Sequence, residues 1–194
     1  MSNIDVDKKL SFHPLTPERW GDLEQLFGTH GAYGGCWCMW WRVKRTEFTK
    51  RQGEGNKKTF KALVDAGNGP GIIAYDRSHA VGWCSVAPRE QFPVLDRSPV
   101  LKRVDNKPVW SIVCFFIKKE YRKQGLCREL IKAAIAHAVS NGASIIEAYP
   151  LDKKESKNTA FEGYTGFAGT FKKIGFVEMI RRSPKRPIVR YYVR

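Results

Sequence analysis

The run VWSIVCFFI at 109–117 constrains the chain more than any other stretch, because so continuous an apolar segment reads as a strand covered on both faces. It leads into YRKQGLCREL at 121–130, a basic turn containing a glycine. Beyond the turn Cys127, Leu130, Ile131, Ala134, Ile135 and Ala138 recur at helical spacing, so a helix from about Leu126 to Asn141 is predicted, stopped by Gly142. SIIEAYPL at 144–151 then reads as a second strand. Strand, turn, helix and strand in this order predict a parallel crossover.

The flanks supply the rest of an α/β domain. KLSFHPL at 9–15 suits a first strand, and Thr16, Pro17 and Glu18 form a helix start before Trp20, Leu23, Leu26 and Phe27. Helices are predicted between Thr46 and Ala66, anchored by Phe48, Phe60, Leu63 and Val64 and ended by DAGNGPG at 65–71. GIIAYD at 71–76 and HAVGWCSVAP at 79–88 read as a hairpin turning at Arg77 and Ser78. Polar loops are predicted over 89–107 and 152–163, a short helix over 166–174, and GFVEMIRR with IVRYYVR as a closing hairpin. At 194 residues the chain fits one domain, 1–194, since two cores would each be small.

Bulk properties narrow the function classes. No apolar run approaches the roughly 20 residues a membrane span needs, and MSNIDVDKKLSF lacks a signal-peptide core, so a cytoplasmic chain is expected. Five cysteines without a secretion signal read as reduced thiols rather than a disulfide framework. A net charge of +15 attracts anions, but the basic residues are spread along the chain and form no compact nucleic-acid arm.

The turn at 121–130 carries the chemistry. Backbone N–H groups at a helix start have no intrahelical partners and point outward with the positive end of the helix dipole. Gly125 lets a phosphate approach the backbone, and Lys123 and Arg128 add charge. RKQGLC resembles the pyrophosphate loop of the GNAT superfamily of N-acetyltransferases, whose pattern is Gln or Arg, two residues, Gly, one residue, then Gly or Ala. Arg122 and Gly125 match, and Cys127 stands where the last small residue belongs. The strand at 109–117, the strand at 144–151 and FKKIGF at 171–176 resemble the rest of that fold in order, and GGCWCMWWR paired with YTGFAGTFKKIGF is similar to a poorly characterised bacterial branch of it.

The resemblance implies a mixed, mostly antiparallel central sheet splayed at an acetyl-CoA site, with helices on both faces. It implies that Arg122, Lys123, Gln124, Gly125, Leu126, Cys127 and Arg128 hold the pyrophosphate, with Lys172 in reach of it. It further implies that Phe115, Phe116 and Ile117 line the pantetheine arm, with Phe171 beside them. An acetyl group would then pass by direct attack to a primary amine of a small molecule or peptide, and related folds suggest a homodimer. The family's usual tyrosine acid, four residues before Gly175, is here Phe171, so Tyr164 is the substitute candidate. Glu147, the carboxylate on the strands flanking the gap, is the candidate base.

GGCWCMWWR at 34–42 stays open between a metal site, a structural plug and a pocket wall. The layout implied by the resemblance sets it over the acceptor side, with Trp37, Cys38, Trp41, Arg42 and Trp83 as acceptor-binding candidates. Cys36 and Cys38, with Cys84 and Cys114 as distant partners, lack the second pair or clustered histidines of usual zinc sites, so no metal is expected. The rival function is a basic RNA-binding or ribosome-associated module, suggested by the +15 charge and RRSPKRPIVRYYVR.

Overall fold

The computed structural model describes residues 9–155 and 162–193. Part of the loop expected at 152–163 and the last residue of the basic tail lie outside them. The strands are β1 (Leu10–Pro14), β2 (Gly71–Asp76), β3 (His79–Pro88), β4 (Trp110–Ile117), β5 (Ile145–Ala148), β6 (Val177–Ile180) and β7 (Ile188–Tyr192). They form one sheet in the order β1-β2-β3-β4-β5-β7-β6, antiparallel at every pair except β4 with β5. This is the α/β sheet with one parallel crossover that the strand pattern predicts, and the mixed, mostly antiparallel sheet that the resemblance implies.

Helices cover both faces. The crossover helix α5 (Leu126–Ser140) lays Leu126, Leu130, Ile131, Ala134 and Ala138 against Ile72, Ala74, Val81, Ile112 and Ile146, and α6 (Ala168–Ile174) adds Phe171. The opposite face carries α1 (Trp20–Phe27), α2 (Arg45–Lys50) and α3 (Glu54–Asp65), whose Leu23, Phe27, Phe48, Phe60 and Val64 bury against Ile73, Tyr75 and Trp83. α4 (Pro93–Arg97) closes a third cluster on that face, with Trp41, Phe92, Leu95, Val113, Tyr149 and Ile188. None of the described helices is long and apolar enough to cross a membrane.

Three local departures have physical causes. The expected loop at 89–107 contains a 3-10 turn at Arg89–Gln91 and α4, which Pro93 opens with a pre-set φ. The second crossover strand ends at Ala148 rather than Leu151, because its partner diverges there; Leu151 makes only an isolated parallel bridge to Phe167. Thr16 makes no side-chain cap, and Pro17 starts a 3-10 turn that runs into α1.

One irregularity positions the site. Ser85 pairs with Cys114 and Val86 with Ile112, so Val113 is an extra residue that bends β4. β4 pairs with β5 only over Trp110–Ile112, opposite Ile146–Ala148, while β3 follows β4 out to Ile117. From Val113 to Ile117 the sheet is therefore open on the β5 side.

Candidate active site

The mouth of this opening is the turn between β4 and α5. Arg122 Nε donates to the carbonyl of Ile117 at 2.9 Å, tying the turn to the end of β4, and the Gln124 side chain donates to the Glu120 carbonyl at 2.6 Å. Lys123 at φ 62° and Gly125 at φ 89° are both left-handed, a conformation glycine adopts without strain. The chain thereby enters α5 with no side-chain cap, and the backbone N–H groups of Lys123, Gly125, Leu126 and Cys127 meet no acceptor among the described residues. They form a cradle for an oxyanion at the positive end of a 15-residue helix.

Side chains around the cradle are basic and open. Arg122, Lys123 and Arg128 are exposed, although Arg128 shares Glu129 with Lys132, at 2.8 and 3.2 Å. A groove of about 480 Å³ runs beside the first turns of α5, lined by Arg128, Lys132, Ile135, Lys173, Ile174 and Tyr191. Lys172, the residue selected from the sequence, is exposed and does not line it; its neighbour Lys173 does. Cys127 is mostly enclosed, and burial pushes its thiol up to about 12. It packs the loop and stays a neutral thiol at physiological pH.

Of the strand candidates, Phe115 is buried toward α5 and meets the Phe171 ring edge-on at 6.2 Å, while Phe116 turns to the other face against Phe27. Ile117 is partly buried at the rim. Phe171 itself is fully buried and packs edge-on to Phe176 at 4.9 Å, so it supports the wall of the opening from below.

The segment 34–42 occupies the opposite face, and it is mostly interior. Trp37 stacks on Trp20 at 6.0 Å and tilts against Phe27 at 5.6 Å; Trp83 has no exposure and sits edge-on to Phe27 and Phe60. The expectation that these two rings form walls of an acceptor pocket is corrected: both are core plugs, because the turn folds inward onto α1 and α3. Gly31 makes room for this, since a Cβ there would lie 2.2 Å from the Trp37 indole nitrogen. Trp37 at φ 41° and Cys38 at φ 57° hold left-handed backbone that non-glycine residues rarely adopt.

Cys38 and Trp41 sit closer to the opening, beside Cys114 and Val113, and Arg42 is near enough to Cys38 for its charge to act on that thiol. Trp83 Nε1 donates to Cys38 Sγ at 2.9 Å, and the Cys38 thiol is lowered chiefly by a hydrogen bond from Cys114, against the effect of burial. Cys114 is in turn held well above the usual thiol range by that same contact and by burial. Since Cys114 lies on the open stretch of β4, this pair joins the segment to the sheet opening. All five cysteines are free thiols, and no group of three or more metal-ligating side chains occurs among the described residues.

Glu147 is corrected as a base. It is fully buried, and Oε1 accepts from Arg89 at 2.7 Å and from the Tyr149 hydroxyl at 2.7 Å, while Oε2 accepts from Arg190 at 2.8 Å. Arg89 also binds Asp96 and the Leu101 carbonyl, and Arg190 binds Asp105 twice, so the network ties β5 and β7 to the segment after β3. With three of its roughly four lone-pair sites taken, two of them by arginines, and no exposure to solvent, this carboxylate serves as the shared counter-ion of Arg89 and Arg190. Sequence reasoning missed Arg89, Tyr149 and Arg190. A signal existed: Glu147 and Arg190 each interrupt an otherwise apolar strand, and they are direct cross-strand partners.

Tyr164 stands at the rim, on the short turn Gly163–Thr165 that packs on β4. Its ring lies under Arg186 at 5.8 Å, and burial pushes its phenol up to about 12 despite that cation. Its hydroxyl has no hydrogen-bond partner among the described residues, so it is a protonated donor with capacity to spare.

A sheet opened beside a bulge, with unpartnered helix-start N–H groups at its mouth, matches in shape and charge a phosphorylated, strand-like arm. The chain belongs to the acetyltransferase (GNAT) family, whose model matches residues 37–161. Solved structures with this fold include a GNAT acetyltransferase from Listeria monocytogenes, at 8% identity and TM-score 0.58 over 95% of both chains. PaiA N-acetyltransferase from Thermoplasma acidophilum, in complex with coenzyme A, is 13% identical with TM-score 0.53 over 95% of this chain and 99% of its own. NAA60 from Arabidopsis thaliana, in complex with acetyl-CoA, is 15% identical with TM-score 0.53 over 95% and 100%. No curated protein matches in sequence.

Proposed function

We propose that the protein is an acetyl-CoA-dependent N-acetyltransferase that moves an acetyl group to a primary amine by direct attack. The observation that carries this reading is the opening between β4 and β5 with the uncapped start of α5 at its mouth. Family membership supports it, and relatives of the same fold have been solved with coenzyme A or acetyl-CoA. The N–H groups from Lys123 to Cys127 with Arg122 and Arg128 hold the pyrophosphate, and the backbone of Phe115–Ile117 pairs with the pantetheine arm.

In the reaction a C–N bond forms between the amine and the acetyl carbon, and the C–S bond to coenzyme A breaks. Tyr164 gives its proton to the departing thiolate, and the nitrogen's surplus proton leaves through water, since Glu147 is committed to two arginines. The phenolate that Tyr164 would leave behind lies under the Arg186 guanidinium. Cys38 and Cys127 need not act as nucleophiles.

The decisive test is thermal: acetyl-CoA at 100 times its Kd should stabilise the protein by about 2.7 kcal/mol, with release of free thiol only when an amine acceptor is added. No shift at millimolar acetyl-CoA rejects the reading.

A further inference from the structure

Among the described residues three arginines are buried, Arg42, Arg89 and Arg190, and they are treated differently. Arg89 and Arg190 each pair with two carboxylates. Arg42, 8% exposed, pairs with none among the described residues; its one hydrogen bond is from Nη1 to the Gln91 side-chain oxygen at 2.8 Å. The faces of Phe92 at 4.5 Å and Phe60 at 5.8 Å complete its surroundings. Nε and Nη2 are buried and have no hydrogen-bond partner among the described residues.

Those two nitrogens form the side edge of the guanidinium, the edge that takes a carboxylate through two parallel hydrogen bonds. Burial pulls Arg42 down to about 10, with Cys38 opposing, which leaves it charged at neutral pH. A buried cation without a counter-ion costs several kcal/mol, a cost folded proteins otherwise avoid by pairing. Leaving one of three buried arginines unpaired, on the segment that joins the sheet opening through Cys38 and Cys114, is what a site awaiting an anion requires.

We propose that Arg42 is a specificity residue for the acceptor, and that the acceptor is an amine that also carries a carboxylate, held on the Nε–Nη2 edge. This rests on the acetyl-transfer reading and narrows its substrate to amino acids and related amino carboxylates. The edge is enclosed in the free protein, so the carboxylate enters as the Arg42 end of the segment, which has no regular secondary structure, gives way while Trp37 stays packed on Trp20 and Phe27. The +15 charge draws the anionic acetyl-CoA toward the protein, whereas a zwitterionic acceptor is sorted at close range by the guanidinium.

The experiment compares 3-aminopropionate, 4-aminobutyrate, 5-aminovalerate and glutamate with their amides as acceptors at saturating acetyl-CoA. At least one acid should exceed its amide by about 100-fold in kcat/KM, since a site built for a charged partner rejects the analogue lacking it. In Arg42→Gln that preference should vanish while stabilisation by coenzyme A is unchanged. Amides acetylated as well as the acids overturn the proposal and leave acetyl transfer standing. If none of them is acetylated, calorimetric binding of acid and amide, with and without coenzyme A, decides, and equal binding overturns it. If the Cys38 thiolate is instead the counter-ion, Arg42→Gln slows Cys38 alkylation and no acid preference exists in the native protein, which also overturns it. Where Arg42→Gln fails to fold, the native acid-to-amide ratio decides alone.

Discussion

The two ends of the sheet opening are built on opposite plans. At the α5 end the binding groups are backbone N–H donors at a helix start, with flexible exposed cations around them. The 34–42 end is built of side chains locked in aromatic packing, with Trp37 and Cys38 in left-handed backbone. The first plan tolerates sequence change in its side chains because the donors belong to the main chain. The second has little tolerance, since each side chain is both structural and in contact with the next. A phosphate that is the same in every turnover suits the first, and an acceptor that must be told from its analogues suits the second.

Substitutions can break this contrast, beginning with the largest effect. Trp37→Ala removes a ring packed on Trp20 and Phe27 and should cost about 3–5 kcal/mol in chemical denaturation. If the loss is under 1 kcal/mol, the segment is not locked. Glu147→Gln leaves Arg89 and Arg190 without their shared carboxylate and should cost about 3–5 kcal/mol, with the pH–rate profile of the surviving folded protein unchanged in shape. A vanished acidic limb in that profile would return Glu147 to the role of base.

Smaller effects sharpen the other end. Gly125→Val forces a β-branched residue into φ 89° and should weaken acetyl-CoA binding about 100-fold by calorimetry while leaving amine discrimination intact. Tyr164→Phe should lower kcat about 10- to 100-fold with unchanged cofactor affinity. Because its phenol lies near 12, the native rate should show no tyrosine-linked fall below about pH 10. Lys173→Ala should raise the cofactor Kd only a few-fold, and less at high salt, since an exposed charge is screened.

Legibility in the sequence followed the range of the interactions. The strand at 109–117, the loop from Arg122 to Arg128 and the helix after it were readable because a local period and one glycine specify them. The placement of Trp37 and Trp83 was not, because an aromatic residue has the same signature in a core and in a pocket wall. Glu147 was misassigned for a similar reason: a carboxylate on the right strand looks free until Arg89, 58 residues earlier, and Arg190, 43 residues later, are seen to close on it.

By itself the sequence determined the crossover, the sheet's composition and the anion cradle, because hydrophobic period and helix-start chemistry act over a few neighbouring residues. Only the tertiary structure decided which charges are spent and which are left over. Arg42, Arg89 and Arg190 are chemically identical in the sequence, and burial separates them by what each one faces: carboxylates around two, and two aromatic rings and an amide around the third.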